Sequence, residues 1–220
     1  MANQRGAGVR ESYDRIAEEY ARRLFHELER KPLDRELLLR FARATRGGPV
    51  WELGCGPGQV ARYLQDAGSQ VSGLDLSPAM IAEARRLNPD VAFVEGDMMA
   101  LPLEDGAAAG LVAFYSIVNI PEERLAAVFA EMARVLRPGG LLLLAFHTGG
   151  AVLPVREMFG RTVEMEFYFF PAEAIAEKLR AAGLTVEEVV ERGPYAPEVE
   201  HQSHRAYVFA QKPGEARVGG

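Results

Sequence analysis

The chain has 220 residues, 48% hydrophobic and 25% charged, with a net charge of −6 and a pI near 5.4. That length suits one α/β domain with a substantial core; no apolar run approaches the roughly 18 residues of a membrane span, and acidity without a long basic run argues against nucleic acid as substrate. The single cysteine, Cys55, excludes an internal disulfide and a thiolate-cluster metal site. Met1 to Arg10 lack the apolar core of a signal peptide, so a cytoplasmic location is expected.

Residues 1–10, rich in small and polar types, read as a loose end. Ser12 is placed to cap a helix in which Tyr13, Ile16, Ala17, Tyr20 and Leu24 recur every three or four residues. A second amphipathic helix, carrying Leu33, Leu37, Leu38 and Phe41, follows Pro32 and ends before Gly47-Gly48. The stretch Val50-Trp51-Glu52-Leu53-Gly54-Cys55-Gly56-Pro57-Gly58 then reads as strand, tight turn and helix start. Glycines at 54, 56 and 58 can take positive φ and bring backbone amides directly against a ligand. A dinucleotide-binding G-x-G-x-x-G loop would need a further glycine at position 59, which is Gln59.

The run Glu52-Leu53-Gly54-Cys55-Gly56-Pro57-Gly58 resembles the E/D-x-G-x-G-x-G first motif of class I S-adenosylmethionine-dependent methyltransferases. The resemblance implies that Gly54, Cys55, Gly56 and Gly58 pack against the amino-acid part of the cofactor, with Glu52 helping to orient it. The pattern Y-D-x-x-A-x-x-Y, from Tyr13 to Tyr20, is similar to the N-terminal segment of small-molecule methyltransferases. It implies that residues 1–46 form a helical lid and that the hydroxyl of Tyr13 or Tyr20 reaches the cofactor carboxylate; packing of both rings against the body is the alternative.

Val60 to Ala67 is a helix stopped by Gly68, and Val71 to Asp75 is a buried strand. Asp75 falls at the carboxyl end of that strand, about 20 residues past the glycines, where an acid can accept hydrogen bonds from ribose hydroxyls. Leu76 and Met80 are candidates to flank adenine, and Ser77 is better placed than Asp75 to cap the helix Pro78 to Leu87. Val91 to Val94 is a third strand, followed by the Gly96-Asp97-Met98 signature of the family, which implies an Asp97 contact to the adenine amino group and a Met98 amide contact to the ring. A solvent-facing turn aspartate is the alternative. Leu111 to Ser116 is the fourth strand; Tyr115, Ser116, Ile117 and Asn119 sit where it opens toward the cofactor. Ala109 stands where the family often has Asp, and Asn119 near where relatives often carry His.

Pro121 opens a helix with Leu125, Val128, Phe129, Met132, Val135 and Leu136 on one face. Leu136-Arg137-Pro138-Gly139-Gly140, before the strand Leu141 to Phe146, is similar to a turn of the family. His147 closes that strand as a candidate general base or a packing histidine, and Tyr115 is the other catalytic candidate. Residues 148–170 are too long for a plain connection and unusually aromatic, so they are expected to insert a substrate pocket. A helix from Pro171 to Gly183 precedes strands Leu184 to Val190 and Ala206 to Ala210, joined without a helix and therefore antiparallel. His201 and His204 lack a third ligand of clear spacing, so no metal is expected.

The resemblance thus implies an α/β fold with a doubly wound, mostly parallel seven-stranded sheet, a C-terminal antiparallel hairpin and N-terminal lid helices, the body spanning residues 47–213 and a flexible tail 214–220. It implies S-adenosyl-L-methionine as cofactor, S-adenosyl-L-homocysteine as product and a small-molecule methyl acceptor, without nucleic acid or membrane. A nicotinamide-dependent reductase and a non-catalytic S-adenosylmethionine-binding protein are the alternatives. Because a sulfonium already activates its methyl, no obligatory catalytic side chain follows.

Overall fold

The computed structural model describes residues 2–214, with side chains from Gly8 onward; the tail expected at 214–220 falls, from residue 215, outside the described residues. In chain order the elements are α1 (Ala2–Leu24), a short 3-10 turn (Glu27–Arg30), α2 (Pro32–Ala44), β1 (Pro49–Leu53), α3 (Gln59–Asp66), β2 (Gln70–Asp75), α4 (Pro78–Leu87), β3 (Ala92–Glu95) and β4 (Ala108–Phe114). A second 3-10 turn (Ile117–Asn119) leads to α5 (Glu122–Val135), β5 (Leu136–His147), β6 (Val152–Met158), β7 (Arg161–Tyr168), α6 (Ala172–Ala181), β8 (Thr185–Arg192) and β9 (Arg205–Gln211). No helix among the described residues is long and apolar enough to cross a membrane.

Short apolar strands buried on both faces, alternating with amphipathic helices, dictate a parallel sheet covered on each side. The strand order is β3-β2-β1-β4-β5-β9-β8, parallel from β3 to β5, with β9 antiparallel to both neighbours. The two-residue period of β5 divides the core: Leu142 and Leu144 face α5 and α6 through Phe129, Met132, Ile175 and Leu179, while Leu141 and Leu143 join the layer containing Phe41 of α2, Leu64 of α3 and Ile81 of α4. The order reverses between β1 and β4, which opens a crevice beyond their carboxyl ends.

Three expectations change. Residues 2–10 belong to α1 rather than to a loose end, and Ser12 lies within that helix instead of capping it. Its hydroxyl donates to the Gly8 carbonyl (2.6 Å) and accepts from the Glu164 amide of β7 (2.8 Å), tying α1 to residues far along the chain. Residues 148–170 fold largely into a separate antiparallel pair, β6 with β7. The turn Leu136 to Gly140 is stitched into β5, with Gly139 at φ +75° and its amide donating to the Lys212 carbonyl (2.9 Å). α1 packs across β7 and α4 through Ile16, Ala17, Met80, Val163 and Met165, and so roofs the crevice, whereas α2 buries Leu38 and Phe41 against the sheet.

Candidate active site

β1 delivers the chain into a glycine turn pressed against its neighbours. The amides of Gly54 and Cys55 donate to the Leu74 carbonyl at 2.7 and 3.0 Å, and Gly54 takes φ +71°. A Cβ on Gly54 would lie 2.4 Å from Ser116 Cβ, so only glycine allows this approach. Gly58 differs: at φ +83° it begins α3, and a Cβ there would lie 2.7 Å from Phe93 Cζ and 2.8 Å from Asn88 Nδ2. Its need is for packing.

A cleft partly open to solvent lies over these strand ends. Tyr13, Tyr20, Glu52, Gly54, Cys55, Gly56, Asp75, Leu76, Met80, Asp97, Met98, Tyr115 and Ser116 line it; Gly58 is the one predicted cofactor residue that does not. Glu52 is 2% exposed, and its Oε2 accepts the Ala61 amide (2.7 Å) in the first turn of α3. Burial pushes its carboxyl well above the usual range, opposed by that amide. Burial likewise raises the Cys55 thiol, which keeps it protonated and removes it as a nucleophile.

Asp75 is held from both sides: Oδ2 accepts from the Gly56 amide (2.8 Å) and Oδ1 from the Ser77 amide (2.9 Å), while burial raises its pKa against those bonds. Ser77 caps α4 by accepting from the Met80 amide (3.1 Å) and donates its hydroxyl proton to Asp14 Oδ1 (2.6 Å), which also accepts from the Ala79 amide (3.2 Å). α1 is thereby fastened to the start of α4. Asp97 makes a local turn bond, accepting from the Met99 amide (2.9 Å), and still faces the cleft.

The roof carries Tyr13 and Tyr20, with ring centroids 6.2 Å apart. Burial pushes the Tyr13 hydroxyl up to about 12, and that oxygen accepts from Asn119 Nδ2 (2.9 Å). Val9, Gln59, Asn119 and Ile120 also line the cleft. Local pattern missed Val9 because its segment read as loose, and it gave Gln59 no role beyond a missing glycine. Three cleft-lining polar atoms are buried without a hydrogen-bond partner: Gln59 Oε1, Ser116 Oγ and Asn119 Oδ1. Such groups cost free energy unless a ligand or water satisfies them.

Tyr115 adopts φ +57°, a left-handed conformation that costs a non-glycine residue roughly 1–2 kcal/mol. The turn it makes lets its amide donate to the Ala145 carbonyl (2.7 Å) while the residue lines the cleft. His147 does not line the cleft. It packs behind Tyr115 (centroids 5.4 Å apart), stacks on Phe169 at 4.8 Å and lies 2.7 Å from Ser203 Oγ through Nδ1. Burial, then the nearby Arg205, His201 and Lys31, lower its pKa to about 3. It is neutral near pH 7 and sits behind the wall, outside the cleft. The β6–β7 hairpin contributes none of the lining either; the inward alternation of β7 sends Val163 and Met165 onto α1 instead.

Residues 50–140 match a family model described as a methyltransferase domain. The chain is 37% identical over 141 residues to a malonyl-[acyl-carrier protein] O-methyltransferase of Enterobacter lignolyticus, covering 64% of this chain and 53% of that one. It is 30% identical over 184 residues to a protein of the same description from Pseudescherichia vulneris, covering 82% and 70%. The chain belongs to the class I S-adenosylmethionine-dependent methyltransferase family. This methyltransferase-family chain shares its fold, at 16% identity and a TM-score of 0.68, with an S-adenosylmethionine-dependent methyltransferase of Methanosarcina mazei, over 76% of this chain and 93% of that one. It spans about half the length of the Enterobacter relative.

The family cofactor fits the residues present. The cleft supplies carboxylates and backbone amides at three strand ends, unpartnered oxygens for an amino or hydroxyl group, and no Lys, Arg or His among its described lining residues to repel a cation.

Proposed function

We propose that the chain transfers the methyl group of S-adenosyl-L-methionine to a small-molecule acceptor. The observation that carries this reading is the cleft itself, in which carboxylates and three buried, unpartnered oxygens converge under the Tyr13–Tyr20 roof. In this reading Asp75, already steadied by two amides, accepts from the ribose hydroxyls; Asp97 and the Met98 amide take the adenine edge, with Leu76 and Met80 against its faces. The glycine turn, Gln59, Ser116 and Asn119 surround the amino-acid part, while Tyr13 and Tyr20 face its carboxylate. Gly58 acts through packing. The cofactor supplies a methyl on a positive sulfur, already activated toward a nucleophile.

What remains for the protein is alignment and exclusion of water, and aligned geometry supplies roughly 7–11 kcal/mol of a bimolecular barrier. α1 excludes water by covering the cleft. We assign acceptor selection to the end of the cleft at Asn119, whose oxygen is unpartnered, and to the β6–β7 hairpin only the placing of α1 and the Ile117–Asn119 turn on which it rests. The relatives described as malonyl-[acyl-carrier protein] O-methyltransferases place a carboxyl oxygen among the nucleophiles to be tried.

Calorimetry with S-adenosylmethionine, S-adenosylhomocysteine and NADH, followed by a screen for S-adenosylhomocysteine release over small O-, N- and C-nucleophiles, tests the reading. Binding of the first two without NADH, with turnover on at least one acceptor, is expected. Binding of NADH alone would overturn it, and cofactor binding with no turnover on any nucleophile class would reduce the chain to a binding protein.

A further inference from the structure

Behind the Tyr115 wall lies a buried polar cluster that cofactor binding leaves unused. Tyr115 Oη is 3.0 Å from Tyr207 Oη on β9, and the Tyr207 hydroxyl donates to Asp34 Oδ1 on α2. Tyr207 Oη also accepts from Arg192 Nε of β8 (2.9 Å). Counting protons fixes the direction. Each tyrosine has one hydroxyl proton, and Tyr207 spends its own on Asp34, so Tyr115 is the donor between the two rings. Tyr207 and Asp34 are both 0% exposed, whereas Tyr115 reaches the cleft.

The remaining charges hold this line in place. Facing Asp34 are Tyr207 from β9, Arg192 Nη2 from β8 (3.3 Å) and the Lys31 ammonium before α2, with Tyr115 beyond Tyr207. Arg192 also binds Glu200 (2.5 Å), which meets Arg205 (3.3 Å) and Lys31 (3.8 Å); Lys31 meets Glu27 (2.6 Å). Three cations balance three carboxylates. Burial raises Asp34 above an ordinary aspartate, and the Tyr207 bond and Arg192 charge oppose that rise.

We infer that Tyr115, Tyr207 and Asp34 form a relay that removes from the cleft the proton of a methyl acceptor that is still protonated near pH 7, a hydroxyl or a protonated nitrogen or carbon; an ionised carboxyl acceptor has none to give. The inference rests on the methyltransferase reading. As the bond from nucleophile to methyl forms and the methyl–sulfur bond breaks, its electron pair staying on sulfur, the nucleophile's proton passes to Tyr115 Oη. The Tyr115 proton passes to Tyr207 Oη, and the Tyr207 proton to the Asp34 carboxylate. When the products leave, the same three transfers run backward to water in the open cleft and restore ionised Asp34. Among the described lining residues Tyr115 is the one whose hydroxyl bonds onward, through a second tyrosine hydroxyl, to a carboxylate outside the cleft, whereas the Tyr13 hydroxyl accepts from Asn119 and the Asp75 oxygens hold two backbone amides. Tyr115 is the end that touches the acceptor; Tyr207 and Asp34 act through it as positioning residues.

Tyr207→Phe removes one oxygen and keeps the ring. Tested with an acceptor from the screen whose own pKa lies above 7, it is expected to leave S-adenosylmethionine affinity and acceptor KM within about twofold, to lower kcat at pH 7 at least tenfold, and to recover as pH rises past that pKa. A loss that is equal at every pH, or no loss, overturns the relay, because a packing defect does not follow pH. A second measurement needs no turnover: carboxyl-carbon NMR of Asp34 in the unliganded chain, assigned with Asp34→Asn or, if that variant fails to fold, through Tyr207→Phe. Asp34 is expected to be ionised at pH 7 and to titrate above an ordinary aspartate. Protonation already complete at pH 7, or no titration down to pH 4, overturns the inference. Failure of wild-type chain to bind S-adenosylmethionine would instead sink the methyltransferase reading, which the NMR titration does not address.

Discussion

Asp75→Asn tests the centre of the site. The aspartate holds the glycine turn through the Gly56 amide (2.8 Å) and the start of α4 through the Ser77 amide (2.9 Å). Asparagine has one carbonyl oxygen, so one amide keeps an acceptor and the other faces an NH2 group. Losing one charge-assisted bond costs roughly 1.5–3 kcal/mol, and the survivor weakens to a neutral bond of about 0.5–1.5 kcal/mol. Relief of the carboxylate's burial, which raises its pKa, offsets part of this. A net destabilisation of about 2 kcal/mol is expected by chemical denaturation. With no carboxylate to receive the ribose hydroxyls, S-adenosylmethionine should bind at least about tenfold more weakly in calorimetry, since every 1.4 kcal/mol is a factor of ten. Affinity within twofold of wild type, with stability reduced, would leave Asp75 a loop anchor and refute its ribose assignment; no change in either would refute the hydrogen-bond account as well.

Gly58→Ala should destabilise by about 2–4 kcal/mol, from left-handed strain plus the clash with Phe93 and Asn88, whereas Gly68→Ala, at φ +91° in open space, should cost only about 1–2 kcal/mol; equal losses in parallel denaturation curves would remove the packing role of Gly58. Asp14→Ala frees the Ser77 hydroxyl and the Ala79 amide and should loosen α1 by about 1.5–3 kcal/mol, read as faster amide exchange in α1 with the β1–β4 core unaffected. His147 has a folded pKa lowered to about 3, so its contribution to stability is full above the unfolded value near 6.5 and is lost as pH falls from there toward 3. Between pH 6.5 and 5 the wild type should therefore lose up to about 2 kcal/mol that His147→Gln does not lose; parallel stability curves would show that His147 protonates freely in the folded chain.

The features written in local spacing were legible: Glu52 with its glycines, Asp75 at the end of β2, Gly96-Asp97-Met98, and the switch from helical to strand periodicity. They were legible because a turn and a strand tip are specified within a few residues. What long-range contacts specify was not. Gly6 and Gly8 lower local helix preference, yet residues 2–10 join α1, whose Ser12 binds β7 and whose Val9 faces the cleft. Pro154 and the charges of Arg156 and Glu157 hid β6, which tolerates them as one edge of a two-stranded sheet. Gly58 looked like its neighbours because Phe93, the side chain that demands glycine there, lies 35 positions further on.

The same distinction separates the two charged regions of the molecule. Around the cleft, Glu52, Asp75 and Asp97 face no described cation, and burial raises both Glu52 and Asp75, each also feeling another carboxylate. Raised carboxyls contribute stability below their unfolded pKa and lose it as pH rises through the folded one, so near neutrality the free cleft is a destabilised arrangement. A cationic ligand reverses that loss by favouring the ionised carboxylates, which couples occupancy to stability. Behind Tyr115 the charges cancel within the protein, at Lys31, Arg192 and Arg205 against Glu27, Asp34 and Glu200, and need no ligand to do so. On the proposed reading a positive molecule completes the first region, whereas the second holds a hydroxyl chain in a fixed direction whether or not that molecule is bound.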